Sequence, residues 1–243
     1  TTPPTGAPGE NGVGGTTAPP PKAVDETSFG IVAENPVLSF FVDSDNKATL
    51  VQPDGKVVRV VGGQTTVLSS SPIANLMHTA FSFNGRKLLV VFGSRSAPQL
   101  SVFDVETRTW EPLSLGAQAV SWSPQTYEIA YLADRGGTLA LATLDLGNPR
   151  AKPQELIRLA AQDLAVQWAL PSLIFLHEKP SALVPASLWS FDTKKKTLSR
   201  LLQNQPGLSL LWGAESEMGL LFSGGAGERG GELSLLNKEG LVA

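Results

Sequence analysis

The chain has 243 residues, 42% hydrophobic and 17% charged, with a formal net charge of −3. That balance builds a globular core and lacks the basic footprint of a nucleic-acid binder. The absence of cysteine excludes disulfides, thiolate metal sites, iron–sulfur ligation and cysteine nucleophiles. No run of about 18 apolar residues is present to span a bilayer as a helix.

Residues 1–28 stand apart from the rest. TTPPTGAPGENGVGGTTAPPPK is almost entirely Thr, Pro, Gly and Ala, and Val13 is its single large aliphatic residue. Such a stretch cannot bury enough apolar surface to offset its ordering entropy, so it reads as a disordered linker. A stalk of this kind is expected to tether the following domain, with an upstream membrane anchor as the expected attachment.

From residue 29 to residue 243 the texture changes to short apolar runs separated by turn signals. A first unit, 30–72, holds VLSFFVD and KATLVQPDGKVVRVV, with Asp54-Gly55 as a hairpin turn. Its last strand is either Val57 to Val61 or Thr65 to Leu68. The second unit, 73–115, reads as four strands: Thr79 to Ser82, Lys87 to Phe92, Gln99 to Asp104 and Trp110 to Leu113. Asn84-Gly85 is turn chemistry between the first two.

The same unit recurs in 116–159, as AVSWSPQTYEIAYLADRGGTLALATLDL followed by ELIRL, and again in 160–203 and 204–243. Two markers keep the register. An aromatic closes each first strand at Phe81, Trp122, Trp168 and Trp212, at spacings of 41, 46 and 44 residues. A polar residue closes each third strand at Asp104, Asp145, Asp192 and Asn237. ELIRLAAQDLAVQW alone would also suit a helix, but it falls where one unit ends and the next begins, so strands are expected there.

Four strands repeated every 40 to 45 residues or so indicate an all-β fold, a β-propeller of four-stranded antiparallel blades. Five blades are visible. Either Phe29 to Ala33 supplies a strand that clasps a five-blade ring, or the ring is incomplete and belongs to a propeller of six to eight blades.

The turn Phe81-Ser82-Phe83-Asn84-Gly85-Arg86-Lys87 and the partial copy Trp122-Ser123-Pro124-Gln125 resemble the repeats of TolB-type, WD-repeat-like bacterial propellers. The third-strand endings Val102-Phe103-Asp104-Val105-Glu106-Thr107 and Trp189-Ser190-Phe191-Asp192-Thr193 add to the resemblance. It covers residues 30 to 243, although the last two units lack the Ser-Pro turn. The chain is also similar to membrane-anchored propellers that follow a Pro/Thr/Gly stalk. The resemblance implies an extracytoplasmic location, in the periplasm or at the cell surface, with a tether to the membrane. It implies no reaction.

The search for chemistry returns no catalytic, cofactor-binding or metal-binding residue. The two histidines, His78 before a first strand and His177 after a second strand, occupy non-equivalent places and no metal-ligand spacing. Each is expected in a loop or lining the channel. Asp43-Ser44-Asp45-Asn46 could attract calcium, but it lacks the Gly and Glu of an EF-hand and reads as an Asx-rich hairpin turn. Gly225-Ala226-Gly227-Glu228-Arg229-Gly230 matches GxGxxG, yet a strand follows where a dinucleotide site needs a helix. Lys194, Lys195 and Lys196 follow Asp192 and read as a solvated turn. No GxSxG elbow occurs.

The expected function is therefore a non-catalytic protein-binding or scaffold module. The expected partner is a protein, with cell-envelope polysaccharide as the other candidate. Nucleic acid, direct membrane insertion and cofactors are not expected. The competing readings are a hydrolase or lyase with its site in the central channel, or the propeller half of a larger peptidase.

Overall fold

The computed structural model describes residues 33–161, 163–179, 181, 183–213, 218–224, 231–237 and 240–241. Residues 1–28 and the 225–230 glycine motif lie outside the described residues. The described residues form strands and turns grouped in five four-stranded sheets.

Blade 1 comprises β1 (Ser39–Val42), β2 (Ala48–Val51), β3 (Val57–Val61) and β4 (Gln64–Ser69). Both candidates for its last strand are strands, because Gly62 and Gly63, each at positive φ, turn the chain between them. Blade 2 comprises β5 (Leu76–Phe81), β6 (Lys87–Ser94), β7 (Ala97–Asp104) and β8 (Thr109–Leu113). Blade 3 holds β9 (Ala117–Trp122), β10 (Glu128–Asp134), β11 (Leu139–Asp145) and β12 (Gln154–Leu159). Blade 4 holds β13 (Leu164–Leu170), β14 (Leu173–Glu178), β15 (Pro185–Asp192) and β16 (Thr197–Pro206). Blade 5 holds β17 (Ser209–Gly213), β18 (Met218–Ser223), β19 (Glu232–Asn237) and β20 (Gly240–Leu241).

Every blade is an antiparallel meander in chain order, and the first strands β1, β5, β9, β13 and β17 line up as neighbours around the axis. The ELIRL segment and the Trp168 segment are both strands, so the repeat outweighs the helical reading.

A strand presents alternate residues to opposite faces, and here each face meets a different blade. The face of blade 2 carrying Leu89, Val91, Leu100 and Val102 packs on Val120, Trp122, Ile129 and Tyr131 of blade 3. Ala130, Leu132 and Leu141 of blade 3 meet Val166, Trp168, Ile174 and Leu176 of blade 4. Phe175, Ala186 and Leu188 of blade 4 meet Trp212, Leu221 and Leu236 of blade 5. Val51, Val57 and Leu68 of blade 1 meet Leu88, Val90 and Phe103 of blade 2. Among the described residues, no hydrophobic cluster joins blade 5 to blade 1. Residues 29–32 of the expected clasp strand lie outside the described residues.

Polar contacts reinforce each of the first three junctions. Trp110 Nε1 donates to Ser69 Oγ at 3.0 Å, and Ser39 and Thr79 share a hydroxyl contact of 2.6 Å. Asn84 Nδ2 donates to the Tyr127 hydroxyl at 2.8 Å. The Trp168 backbone N–H donates to Ser121 Oγ at 3.0 Å. The partners are 40 to 47 residues apart, one repeat period.

The marker residues have separate duties. Asp104 Oδ1 accepts the backbone N–H groups of Glu106 and Thr107, and Asp192 Oδ1 those of Lys194 and Lys195. These side chains fold the turn into the fourth strand. In the Asn84-Gly85 turn, Gly85 sits at φ 70° and a Cβ would run into the Phe41 ring of blade 1. That position requires glycine both for its backbone and for the close approach of a neighbouring blade.

The aromatic markers differ in one respect. Trp122 Nε1 donates to the Ala80 carbonyl at 2.8 Å. The Nε1 groups of Trp168 and Trp212 are buried and find no acceptor among the described residues. A satisfied indole contributes a hydrogen bond, whereas a buried orphan donor costs desolvation. Trp122→Phe is therefore expected to lose about 1–2 kcal/mol more stability than Trp168→Phe or Trp212→Phe. Urea unfolding of the three variants measures the difference.

Candidate functional site

The inner strands enclose two mouths. The wider, about 980 Å³, opens where β5, β9 and β13 begin. His78 enters it from β5 and Gln118 from β9, while Asp163 stands just before β13. The β6–β7 hairpin contributes Arg95, and the end of β14 contributes Glu178 and Lys179. Charges of both signs thus gather at one end of the propeller. The opposite mouth, about 520 Å³, lies where the inner strands end and is walled by Phe41, Phe81, Phe83, Trp122, Trp168 and Trp212.

Hydrogen bonding fixes part of the wide mouth and leaves part free. Glu178 Oε2 accepts the Ser187 N–H at 2.7 Å, which ties the carboxylate to the following strand. Lys179 Nζ reaches Asp163 Oδ1 at 3.5 Å, a solvent-exposed pair of little strength. Arg95 is exposed and makes no ion pair or hydrogen bond among the described residues. The arrangement can bind a group carrying carboxylates and can adapt its lysine to do so. Among the described residues no three His, Asp or Glu side chains are grouped to hold a metal ion.

No family model matches the chain, and no curated protein matches it in sequence. Many solved structures match its fold. TolB from Acinetobacter baumannii superposes with a TM-score of 0.59 at 14% identity, over 84% of this chain and 50% of that one. The β-propeller domain of the Trilobed protease from Pyrococcus furiosus, described as having an open velcro topology, gives 0.58 at 11% identity, over 84% and 70%. An oligogalacturonate lyase in complex with manganese gives 0.58 at 13% identity, over 82% and 61%. The chain has the TolB-type β-propeller fold. It spans about half the length of the TolB structure and 34% of a matching prolyl endopeptidase.

Within this TolB-type propeller the two histidines part company, and both lie further inside strands than the sequence suggested. His78 belongs to β5, because the strand begins at Leu76 and not at Thr79. It lines the wide mouth as expected. His177 belongs to β14 and is neither in a loop nor at the mouth. It pairs with Ala165 and Leu188 across the sheet and is 8% exposed, in the interior of blade 4. The apolar run Leu173 to Leu176 carries the strand onward, and its pairing with β13 extends to Glu178. His177 Nδ1–H donates to the Glu178 carbonyl at 3.0 Å.

Asp43 Oδ1 accepts the N–H groups of Asp45 and Lys47, Asn46 takes φ 60°, and Lys47 pairs with Asp45 at 2.9 Å. That is the Asx turn read from the sequence. Lys194 to Lys196 form the exposed β15–β16 turn. Sequence reasoning missed Arg95, Asp163, Glu178 and Lys179. Arg95, Asp163 and the adjacent pair Glu178 and Lys179 are separated by 68 and then 15 residues along the chain, and no motif spacing connects them.

Burial lowers the pKa of both imidazoles; at His177 the Glu178 carbonyl opposes the shift. His78 is exposed in the mouth, so solvent weakens its share of the effect and the buried His177 carries most of it. The folded state therefore favours neutral rings. Their contribution to stability is full above the unfolded histidine value of about 6.5 and is lost as pH falls through the lowered folded values. Urea midpoints at pH 7.5 and pH 5.0 are expected to fall for the parent protein. The fall should be smaller in the His78→Gln/His177→Gln double variant.

Proposed function

We propose that this chain is the binding part of an extracytoplasmic propeller, which captures a protein partner at the wide mouth without catalysing a reaction. The observation that carries this reading is Arg95, an exposed cation at the rim of the cavity with no ion pair or hydrogen bond among the described residues. Lys179 is held by only one weak exposed pair, so a second cation is available beside it. A partner segment rich in Asp or Glu satisfies both. Rim charges of this kind govern partner choice and association rate. The Pro/Thr/Gly stalk supports placement outside the cytoplasm at a membrane surface. Cell-envelope polysaccharide bearing carboxylates is the other candidate partner.

A second reading rests on His78. Its lowered pKa leaves a neutral imidazole in the same cavity near pH 7, a form able to accept a proton. Peptidases and an oligogalacturonate lyase share the fold. Turnover of a peptide library or of oligogalacturonate that disappears in His78→Ala would replace the binding reading with this one.

Binding is checked by capture of cell-envelope proteins on the immobilised chain, followed by affinity measurement on what is retained. The Arg95→Glu/Lys179→Glu variant is expected to bind at least about tenfold more weakly, with unchanged thermal stability. Capture equal to that of the parent protein would remove the wide mouth from consideration.

A further inference from the structure

The two mouths of the channel differ in charge. The wide one gathers His78, Arg95, Asp163, Glu178 and Lys179. Among the described residues, no ionisable side chain lines the narrower one. Its wall is aromatic and aliphatic, and its polar side chains are three serines and two glutamines.

The aromatic wall presents carbon. Trp122 Nε1 is taken by the Ala80 carbonyl, and the Nε1 groups of Trp168 and Trp212 are buried. These indoles therefore meet the cavity through ring carbons. Phe83 is 44% exposed, and its ring leans on Tyr127 with centroids 5.4 Å apart. That contact holds the ring in place while one side stays open.

The serines are occupied. Ser82 Oγ and Ser123 Oγ bind within their own turns, and Ser121 Oγ accepts the Trp168 N–H. The glutamines are not. The side-chain amides of Gln125 and Gln167 make no hydrogen bond among the described residues. Gln125 is exposed in a turn, whereas Gln167 is half-buried on the inner strand β13. Each amide offers two N–H donors and one carbonyl acceptor to whatever enters.

This lining sorts ligands by chemistry. A carboxylate or phosphate would lose water here without meeting a counter-charge. A purely apolar molecule would strip water from the Gln167 amide and leave it unpaired. A pyranose ring meets both demands. Its C–H face lies on aromatic carbon, and its hydroxyls both donate to and accept from an amide. The cavity of about 520 Å³ also falls within the range of about 300–1,000 Å³ usual for small-ligand sites.

We propose that the narrower mouth is a second binding site, independent of the wide one, which takes a small uncharged saccharide. Phe83 stacks against one face of the sugar, and Gln167 and Gln125 hold its hydroxyls.

The probes are cellobiose and N,N′-diacetylchitobiose, with digalacturonate as the charged control. Three of the five tryptophans line the cavity, so entry of a ligand is read from indole fluorescence and confirmed by calorimetry. At least one neutral disaccharide is expected to bind saturably with Kd below about 1 mM. Phe83→Ala and Gln167→Ala should each weaken that binding about tenfold. Gln125→Ala, in an exposed turn, should weaken it about threefold and serves where an inner-strand substitution disturbs folding. Arg95→Glu/Lys179→Glu should leave sugar binding unchanged, so each mouth passes or fails by itself. Absence of saturable binding of both disaccharides overturns the proposal. So does equal affinity for digalacturonate, or binding that none of the three alanine substitutions alters. A proline-rich peptide that binds through these residues while neither sugar does would make an extended peptide the occupant, and would overturn it as well.

Discussion

The structure depends on one constraint: a four-stranded sheet has two faces, and an apolar face exposed to water must find a cover. Burial stabilises by about 25 cal/mol per Å² of apolar surface removed from water. One blade has no second layer of its own, so its stability comes from its neighbours. Among the described residues, most of the buried apolar side chains belong to the inter-blade clusters. The channel is what remains when sheets pack side by side around an axis. It owes its two mouths to that packing and its chemistry to the turns at the strand ends.

The repeat was legible because the constraint acts on the same positions in each unit. Trp122, Trp168 and Trp212 recur since each closes an inner strand and packs between two blades. Asp104 and Asp192 recur since each caps a turn that the meander needs. Gly85 is required by the ring of Phe41, a residue of the preceding blade. The division of blade 1 into β3 and β4 was harder to read, because Val57–Val61 and Gln64–Ser69 are separated only by two glycines and both have strand character. The histidine strand ends were misjudged because a polar residue near a strand terminus looks like the start of a turn. Cross-strand pairing, which no single strand reveals, carries β5 and β14 further.

The candidate site was not legible, for a reason that lies in the architecture. A channel mouth is built from turns of different blades, so its residues are brought together by rotation about the axis rather than by spacing along the chain. Arg95 lies in a hairpin of blade 2, and Glu178 and Lys179 end a strand of blade 4. Nothing local distinguishes Arg95 from any other exposed arginine in a hairpin. Its significance comes from its place at the rim of the cavity, without an ion pair among the described residues. The same separation of duties lets a propeller change its ligand by altering turns while the inter-blade faces stay fixed.

The polar bridges between blades all join residues about one repeat apart, from Ser39–Thr79 to Ser121–Trp168. No blade therefore has to wait for a distant part of the chain before it can dock. Assembly can begin at any junction and spread in both directions, as in a zipper with five teeth. Blades 2, 3 and 4 are each covered on both faces, and blade 3 lies farthest from either terminal blade, so its backbone amides are expected to be the last to exchange with solvent. The terminal blades carry the lowest opening free energies, and loosening travels from them toward the middle.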